Sequence, residues 1–143
     1  MIIVDTNIVA EVMKAAPASA VVTWFNAQDS VSLFLAAITV GEIRYGLCIM
    51  PQGQRRHAIE RGFDQIIATA FAGRILAFDE HAATHYGEVM GRRKEIGQPL
   101  SVPDGQIAAI ARLHSFAIAT RNVRDFLACG IEIVNPFLPS APA

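Results

Sequence analysis

Hydrophobic and polar positions follow two alternating patterns along this chain. Short apolar runs of strand length are separated by longer segments in which apolar residues recur every three or four positions, as in amphipathic helices. The apolar runs predict five strands, at residues 2–5, 32–36, 74–79, 116–120 and 131–135. The intervening segments predict seven helices, at residues 7–14, 18–27, 39–50, 54–71, 80–96, 103–114 and 123–127.

Strands that alternate with helices are joined by right-handed crossovers and build a parallel sheet. The predicted fold class is therefore α/β, with a parallel β-sheet flanked by helices on both faces. The sequence has no internal repeat, low-complexity segment or linker, so we expect one domain over residues 1–137. The proline-rich ending NPFLPSAPA predicts a flexible C-terminal tail over residues 138–143.

Composition indicates the cellular compartment of the protein and the kinds of partner to expect. No apolar stretch is long enough to span a bilayer, and the first apolar run lacks the basic region of a signal peptide, so we expect a cytoplasmic protein with no membrane partner. Cys48 and Cys129 are far apart in the sequence, which favours a reduced compartment. Hydrophobic residues make up 52% of the chain, so we expect another chain to cover some apolar surface.

The charges are few, and the net charge of −1 gives no overall basic field that would attract a nucleic acid. Where the charges lie therefore matters more than their sum. The densest basic cluster is the run Arg92-Arg93-Lys94. It has two interpretations, a contact for a polyanion and the solvated face of a helix.

Four carboxylates occupy corresponding places in the predicted fold. Asp5 ends the first strand, Glu42 and Asp104 begin predicted helices, and Asp125 follows the fourth strand. Active sites of parallel sheets lie at the carboxyl ends of the strands, so these acids are candidate catalytic residues. Each of the last three has an alternative role at a helix start, since the pairs 39/42 and 101/104 are spaced as capping boxes and acids in a first turn suit the helix dipole.

Together, the four acids predict a metal site. Two like charges 4 Å apart repel by roughly 4 kcal/mol at an effective dielectric near 20, so such a cluster is expected to take up protons or a cation. Ligands that are all oxygen favour Mg²⁺, with Mn²⁺ as the alternative. The histidines do not match this set and are expected on helix surfaces; they are His57, His81, His85 and His114.

Small polar residues adjoin the acids in the sequence. Thr6 and Asn7 follow Asp5, while Thr120 and Asn122 precede Asp125. They could orient the ligands or the substrate, and turn or capping chemistry is the alternative.

Four segments together resemble the PIN domain, in particular the VapC and FitB-like toxins of bacterial toxin–antitoxin pairs. The segments are IIVDTNIVAEVM, ITVGEIRYGL, PDGQIAAIARLHSFAIATRNVRDF and VNPF, and they run from residue 2 to about residue 137. The order D-T-N, then E-x-x-x-G, D-x-x-I-A-A and T-x-N-x-x-D-F makes the resemblance specific.

The resemblance implies a single PIN-like domain and a Mg²⁺-dependent endoribonuclease, which cleaves RNA phosphodiester bonds with a metal-activated water molecule. Its catalytic and metal-binding acids match Asp5, Glu42, Asp104 and Asp125, and its hydroxyl residue matches Thr120. Some relatives carry an acid where this chain has Asn122, so the number of metals stays open. Asp79 lies outside the matched set and is interpreted as the N-cap of its helix.

The resemblance also implies partners. They are RNA, a cognate antitoxin, a second copy of the chain, and operator DNA bound by a hetero-oligomer with the antitoxin. The candidate RNA contacts are Arg44, Arg92, Arg93 and Lys94. An antitoxin helix could lie between the apolar faces of helices in 7–27 and 39–71, and its arginine could displace the metal.

Two other functions fit parts of the pattern. A haloacid-dehalogenase-type phosphatase also begins with a strand and an aspartate, but it would carry a second aspartate where Asn7 stands. A non-catalytic binding module with the same fold would be expected to lose the acids, and all four are present.

Overall fold

The computed structural model describes residues 1–139. The strands are β1 (Ile2–Val4), β2 (Leu33–Ala36), β3 (Ile75–Leu76), β4 (Ala117–Ala119) and β5 (Ile133–Val134), and the helices are α1 (Thr6–Val12), α2 (Ser19–Ala27), α3 (Ala37–Ile49), α4 (Gln54–Ala70), α5 (Glu80–Glu95), α6 (Val102–His114) and α7 (Val123–Phe126). A single 3₁₀ turn, Ser30–Ser32, precedes β2. The predicted α/β class is confirmed.

The five strands form one parallel sheet in the order β3-β2-β1-β4-β5. The central strand is β1, in which Ile2 pairs with Leu33 on one side and with Ala117 on the other. The backbone N–H of Asp5 donates to the carbonyl of Ala119 at 2.9 Å, so the pairing of β1 with β4 continues to the residue after β1. This register brings the ends of β1 and β4 together.

Each face of the sheet packs on its own layer of helices, as predicted. Ile3 belongs to a core that includes α5, α6 and α7, while the next residue, Val4, belongs to a core that includes α1 to α4. Successive residues of a strand point to opposite faces, and a strand buried on both faces is apolar throughout. The apolar run in β1 is therefore the signature of a central strand.

The element boundaries differ from the predicted ones in two places that affect the site. The edge strands β3 and β5 are only two residues long, much shorter than the apolar runs that predicted them. Helix α3 begins at Ala37, two residues before the predicted start, with Ala36 as its N-cap. The predicted tail lies mostly outside the described residues, because 140–143 are beyond them. Within 1–139, no helix has the length and apolar character needed to cross a membrane.

Helices α5 and α6 pack closely at a glycine next to one of the acids. Gly105 is buried, and a Cβ there would overlap Met90 Sδ and lie 3.1 Å from Tyr86 Cε2. The missing side chain lets the first turn of α6 approach α5. The position of Asp104 therefore depends on this contact.

Candidate active site

Asp5 is the centre of the candidate site. It follows the central strand and caps α1, and only 4% of its surface is exposed. Its Oδ1 accepts from the backbone N–H of Thr6 at 2.8 Å, and its Oδ2 accepts from Asn7 Nδ2 at 2.8 Å and from the Thr120 hydroxyl at 2.7 Å. Three donors thus fix a buried carboxylate in one orientation.

Asn7 connects the ends of β1 and β4. Its Nδ2 donates to Asp5 and, at 3.2 Å, to Thr120 Oγ1, while its Oδ1 accepts from the backbone N–H of Arg121 at 3.0 Å. Both polar atoms of the side chain are therefore engaged within the protein. This geometry supports an orienting role toward Asp5 rather than toward a substrate.

Glu42 lies in the second turn of α3 and is exposed. Its Oε1 accepts from the Thr6 hydroxyl at 2.9 Å, and that hydroxyl also lies 3.3 Å from Oγ1 of the buried Thr39. The capping alternative for residues 39 and 42 is wrong, because α3 is already formed at Thr39 and its N-cap, Ala36, makes no side-chain bond. Sequence reasoning assigned Thr39 to that cap and so missed its place beside the acids.

Asp104 lies in the first turn of α6, where the capping alternative is confirmed. Ser101 is the N-cap, its hydroxyl oxygen accepts from the N–H of Asp104 at 3.3 Å, and the hydroxyl donates to Asp104 Oδ2 at 2.9 Å. The bond from the Ser101 hydroxyl uses one carboxylate oxygen of Asp104 and leaves Oδ1 free within residues 1–139. Capping and membership in the acid cluster are therefore compatible.

Asp125 lies in the one-turn helix α7 and is half-buried. The exposed Asn122 precedes this helix, and its backbone N–H donates to Thr120 Oγ1 at 3.0 Å, whereas its side chain makes no capping bond. The hydroxyl of Thr120 thus links the turn before α7 to Asp5.

Electrostatic interactions link the acids pairwise. Burial raises the pKa of Asp5, the hydrogen bonds from Thr120 and Thr6 oppose the rise, and the charges of Asp104 and Glu42 add to it. Burial also raises the pKa of Asp104, where the Ser101 bond opposes the rise and the charge of Asp125 adds to it. The four carboxylates therefore form one electrostatically coupled cluster at the carboxyl ends of β1 and β4.

The donor chemistry of this cluster fits a hydrated Mg²⁺ or Mn²⁺. Within residues 1–139, no three His, Cys, Asp or Glu side chains converge closely enough to form a ready-made metal cage. Mg²⁺ does not require one, because it keeps several waters and is usually held by only one or two carboxylates. A cation would also offset the repulsion between carboxylates, which adds to the rise in pKa that burial causes at Asp5 and Asp104.

The four candidate RNA contacts differ in their exposure to solvent. Arg92 and Lys94 are exposed, and Arg92 lies 3.8 Å from Glu95. Arg44 donates to Asp64 at 2.6 Å and stacks over the ring of Phe63.

Arg93 is a correction to the sequence prediction. Arg93 is only 4% exposed, and its guanidinium donates to backbone carbonyls. The basic run is therefore not a continuous solvated face, and Arg93 cannot contact RNA from the surface. It is dropped from the candidate RNA contacts.

Sequence reasoning missed Arg121. This exposed arginine follows Thr120 directly, and its guanidinium lies 4.6 Å from the centre of the Phe137 ring. The available signal was its position in the motif T-x-N-x-x-D-F, between two residues that were singled out.

Residues outside the cluster mostly behave as predicted. Asp79 is the N-cap of α5 and accepts from the N–H of Ala82 at 2.9 Å. His57, His81 and His114 are exposed on helices. His85 differs, because it is half-buried and its Nδ1 lacks a hydrogen-bond partner among the described residues.

An apolar groove of about 880 Å³ lies between α1, α3 and α4. Lys14 and Arg55 also line it. Its apolar side chains come from all three helices; they include Val12, Met13, Ile43, Leu47, Ile59 and Ile66. The predicted apolar faces of these helices are therefore only partly used in the core.

The chain is similar to known proteins over nearly its whole length. The chain is 42% identical to VapC ribonuclease Y4jK of Sinorhizobium fredii, over 98% of this chain and 100% of that protein. It is 36% identical to Toxin FitB of Neisseria gonorrhoeae, over 96% of this chain and 99% of the toxin. A solved structure of FitAB bound to an IR36 DNA fragment superposes with a TM-score of 0.92 at 35% identity and covers 99% of each chain.

The family model of the PIN domain matches residues 2–129, which include all four acids of the cluster. The resemblance drawn from the sequence motifs is thus confirmed, and the chain belongs to the PIN domain family.

Proposed function

We propose that this protein is a metal-dependent endoribonuclease and the toxin of a toxin–antitoxin pair, acting in the cytoplasm on RNA. The observation that carries the proposal is the buried, triply hydrogen-bonded carboxylate of Asp5, which is coupled to Asp104 and Glu42 at the end of the central strand. Similarity to a VapC ribonuclease over nearly the whole chain supports it.

In this proposal each residue has a defined task. Asp5, Asp104 and Asp125 would hold the cation, directly or through water, and Glu42 would orient the cation or its water. Thr120 and Asn7 keep Asp5 oriented through hydrogen bonds of 2.7 and 2.8 Å, and Thr6 does the same for Glu42 at 2.9 Å. A bound Mg²⁺ or Mn²⁺ supplies a water of lowered pKa and neutralises charge on the reacting phosphodiester.

Binding of the RNA backbone requires a local group of positive charges, because the net charge of −1 gives the protein no overall attraction for a polyanion. Arg121 is the nearest exposed arginine in sequence to Thr120, and its stacking on Phe137 limits its mobility. Arg92 and Lys94 are further exposed cations, and Arg44 could bind phosphate only by releasing Asp64. We therefore assign the RNA contact first to Arg121 and then to the exposed pair on α5.

The experiment for the catalytic assignment is cleavage of a structured RNA with and without Mn²⁺. We expect Asp5→Asn and Asp104→Asn to lower the cleavage rate by roughly 10²-fold or more, the scale of losing a major electrostatic stabiliser. Asp29→Asn is the control, because this exposed acid caps a 3₁₀ turn and asparagine caps equally well. Cation binding without cleavage in the wild type would instead support a non-catalytic binding module.

The apolar groove supports the antitoxin as a partner. The related FitAB complex is bound to DNA, which suggests the same kind of assembly for this chain, with its antitoxin on operator DNA. A helix with an apolar face would fill the groove, and acidic residues on it could pair with Lys14 and Arg55. An arginine from the same segment could reach the carboxylates, so we expect inhibition to weaken as Mg²⁺ rises.

Co-expression tests the groove directly. Ile43→Glu, inside the groove, should abolish protection by the antitoxin while leaving the chain toxic. Ala68→Glu is the matched control, since Ala68 is exposed on α4 and does not line the groove. Equal protection of both variants would exclude the groove as the antitoxin site.

The expected homodimer has a separate basis. Tyr45 and Ile49 are 68% and 66% exposed and lie one turn apart on α3, which leaves large apolar side chains in solvent. Light scattering of the purified chain measures its mass, and a monomer at high concentration would contradict this part of the proposal.

A further inference from the structure

Arg93 is a buried arginine whose side chain reaches the segment that carries Asp125. It lies in the last turn of α5, and 4% of its surface is exposed. Its Nη1 donates to the carbonyl of Leu127 at 2.6 Å and to that of Arg124 at 3.1 Å. One guanidinium nitrogen thus holds the carbonyls before and after Asp125.

The same side chain also binds the loop that precedes α6. Arg93 Nε donates to the carbonyl of Gln98 at 2.6 Å, and the backbone N–H of Gln98 donates back to the carbonyl of Arg93 at 2.9 Å. Gln98 lies three residues before Ser101, the N-cap of α6, and the first turn of α6 carries Asp104. Arg93 therefore links the backbone segments that carry two acids of the cluster.

Helix α7 needs such external support. It has only four residues, and its N-cap, Asn122, contributes no side-chain bond. Isolated helices of this length do not form in water, because nucleation costs more than one turn of hydrogen bonds returns. Phe126, which is 1% exposed, anchors α7 to the core, and Arg93 binds its carbonyls.

The guanidinium has neutral partners only. Within residues 1–139 no carboxylate lies within 4.0 Å of it, although a buried arginine charge is usually paired. Burial raises the pKa of the Cys129 thiol, Arg93 and Arg112 oppose that rise, and Asp104 adds to it. Arg93 and Asp104 thus both act on the same buried thiol.

We propose that Arg93 is a positioning residue of the metal site, which fixes Asp125 by holding the carbonyls that precede and follow it. The inference rests on the proposed function, because it assigns Asp125 to the cation. Lysine cannot reproduce the contacts, since its single ammonium lacks the planar fork that spans Gln98 on one side and α7 on the other.

The test measures Mn²⁺ affinity by calorimetry, without RNA, for the wild type, Arg93→Lys and Arg93→Gln. We expect both variants to lose about 10- to 100-fold in affinity, the usual effect of removing a group that orients a metal ligand. In the Asp125→Asn background, Arg93→Lys should cause no further loss, because Arg93 acts through Asp125.

Arg74→Lys is the matched control. Arg74 also donates to three backbone carbonyls, those of Leu33, Ala70 and Ala72, but it lies at the amino end of β3, away from the acids. Its variant should lower the melting temperature without changing Mn²⁺ affinity, which separates loss of stability from loss of positioning.

The possible outcomes distinguish failure of the proposed function from failure of the role proposed for Arg93. Absence of Mn²⁺ binding in the wild type would reject the proposed function itself. Wild-type binding with unchanged affinity in Arg93→Lys, or an equal loss in the Asp125→Asn background, would overturn the role of Arg93. Failure of both Arg93 variants to fold would also overturn it, since Arg93 would then support the whole domain rather than one ligand.

Discussion

The Thr120 hydroxyl donates to Oδ2 of Asp5 at 2.7 Å and joins two residues that lie 115 positions apart in the chain. Both residues are buried, and they directly follow the neighbouring strands β4 and β1. Because the same oxygen of Thr120 also accepts from Asn7 and from the N–H of Asn122, the hydroxyl connects three parts of the site.

Thr120→Val should therefore damage the site more than its small change in shape suggests. Valine keeps the volume but leaves a buried carboxylate one donor short, and hydrogen bonds to charged groups contribute about 1.5–3 kcal/mol. We expect a further rise in the pKa of Asp5 and weaker Mn²⁺ binding, which calorimetry at fixed pH can measure. Thr120→Ser keeps the hydroxyl and should retain most of the affinity. Equal affinities for the valine and serine variants would contradict this role.

Stability should depend on pH through Asp104. Its folded pKa is raised above the ordinary 3.8, so the fold favours the protonated form, and the associated stability is present below 3.8 and lost as pH rises through the folded pKa. Asp104→Asn removes this dependence. Without metal, the variant should therefore gain stability over the wild type as pH rises from about 4 to 7.

Urea unfolding at several pH values measures that difference. Comparison of the two proteins at each pH cancels acids of opposite sign, such as Asp79, whose pKa is lowered by the bond from the Ala82 N–H. Added Mn²⁺ should stabilise the wild type at pH 7 and reduce or reverse the difference. A constant difference across the range would show that Asp104 carries no raised pKa.

Glu42→Gln distinguishes a catalytic role of Glu42 from a helix-capping role. Loss of an N-cap costs about 1 kcal/mol, but Glu42 lies in the second turn of α3 and caps nothing. Glutamine can still accept the hydrogen bond from Thr6, so we expect the melting temperature to stay unchanged while metal-dependent cleavage falls. Glu95→Gln, on the exposed end of α5, is the control for loss of a glutamate charge. Intact cleavage in Glu42→Gln would remove this residue from the site.

Gly105→Ala should disturb the packing of α6 against α5, next to Asp104. The added methyl overlaps Met90 Sδ, and overpacking of this kind costs about 1–3 kcal/mol. Gly87→Ala is the matched control within α5, because its Cβ meets nothing within 4 Å and alanine should stabilise the helix there by about 0.4–1 kcal/mol. Thermal unfolding distinguishes the two. Gly105→Ala should cost less stability in a Met90→Ala background than in the wild type, and an equal cost in both would exclude the contact as the cause.

The sequence predicted the existence of the five strands and seven α-helices of residues 1–139, but not of the 3₁₀ turn Ser30–Ser32, because apolar runs and amphipathic segments are strong local patterns. The catalytic role of the four acids stays a prediction. The sequence did not predict the strand order, since the apolar run of β1 indicates burial on both faces but not its neighbours. The capping interpretation of Glu42 failed because helical geometry continued two residues further toward Ala37 than the local pattern indicated.

Arg93 shows a second limit of local patterns. A run of three basic residues in a helix is usually solvated, yet the middle one is turned inward by carbonyls more than thirty positions away in the chain. Such contacts depend on tertiary structure and have no signal in the run itself. Arg121 was missed for a related reason, since its stacking partner, Phe137, lies outside its own element.

The central position of β1 has a consequence for the biosynthesis of this protein. A ribosome makes Asp5 and Glu42 early, but Asp5 gains its partner Thr120 only after more than four fifths of the chain has been translated. Until β4 emerges and pairs with β1, a growing chain has neither the orienting hydroxyl nor Asp125. If Asp5 and Asp125 act in RNA cleavage as proposed, a nascent chain cannot cleave RNA before β4 has paired with β1.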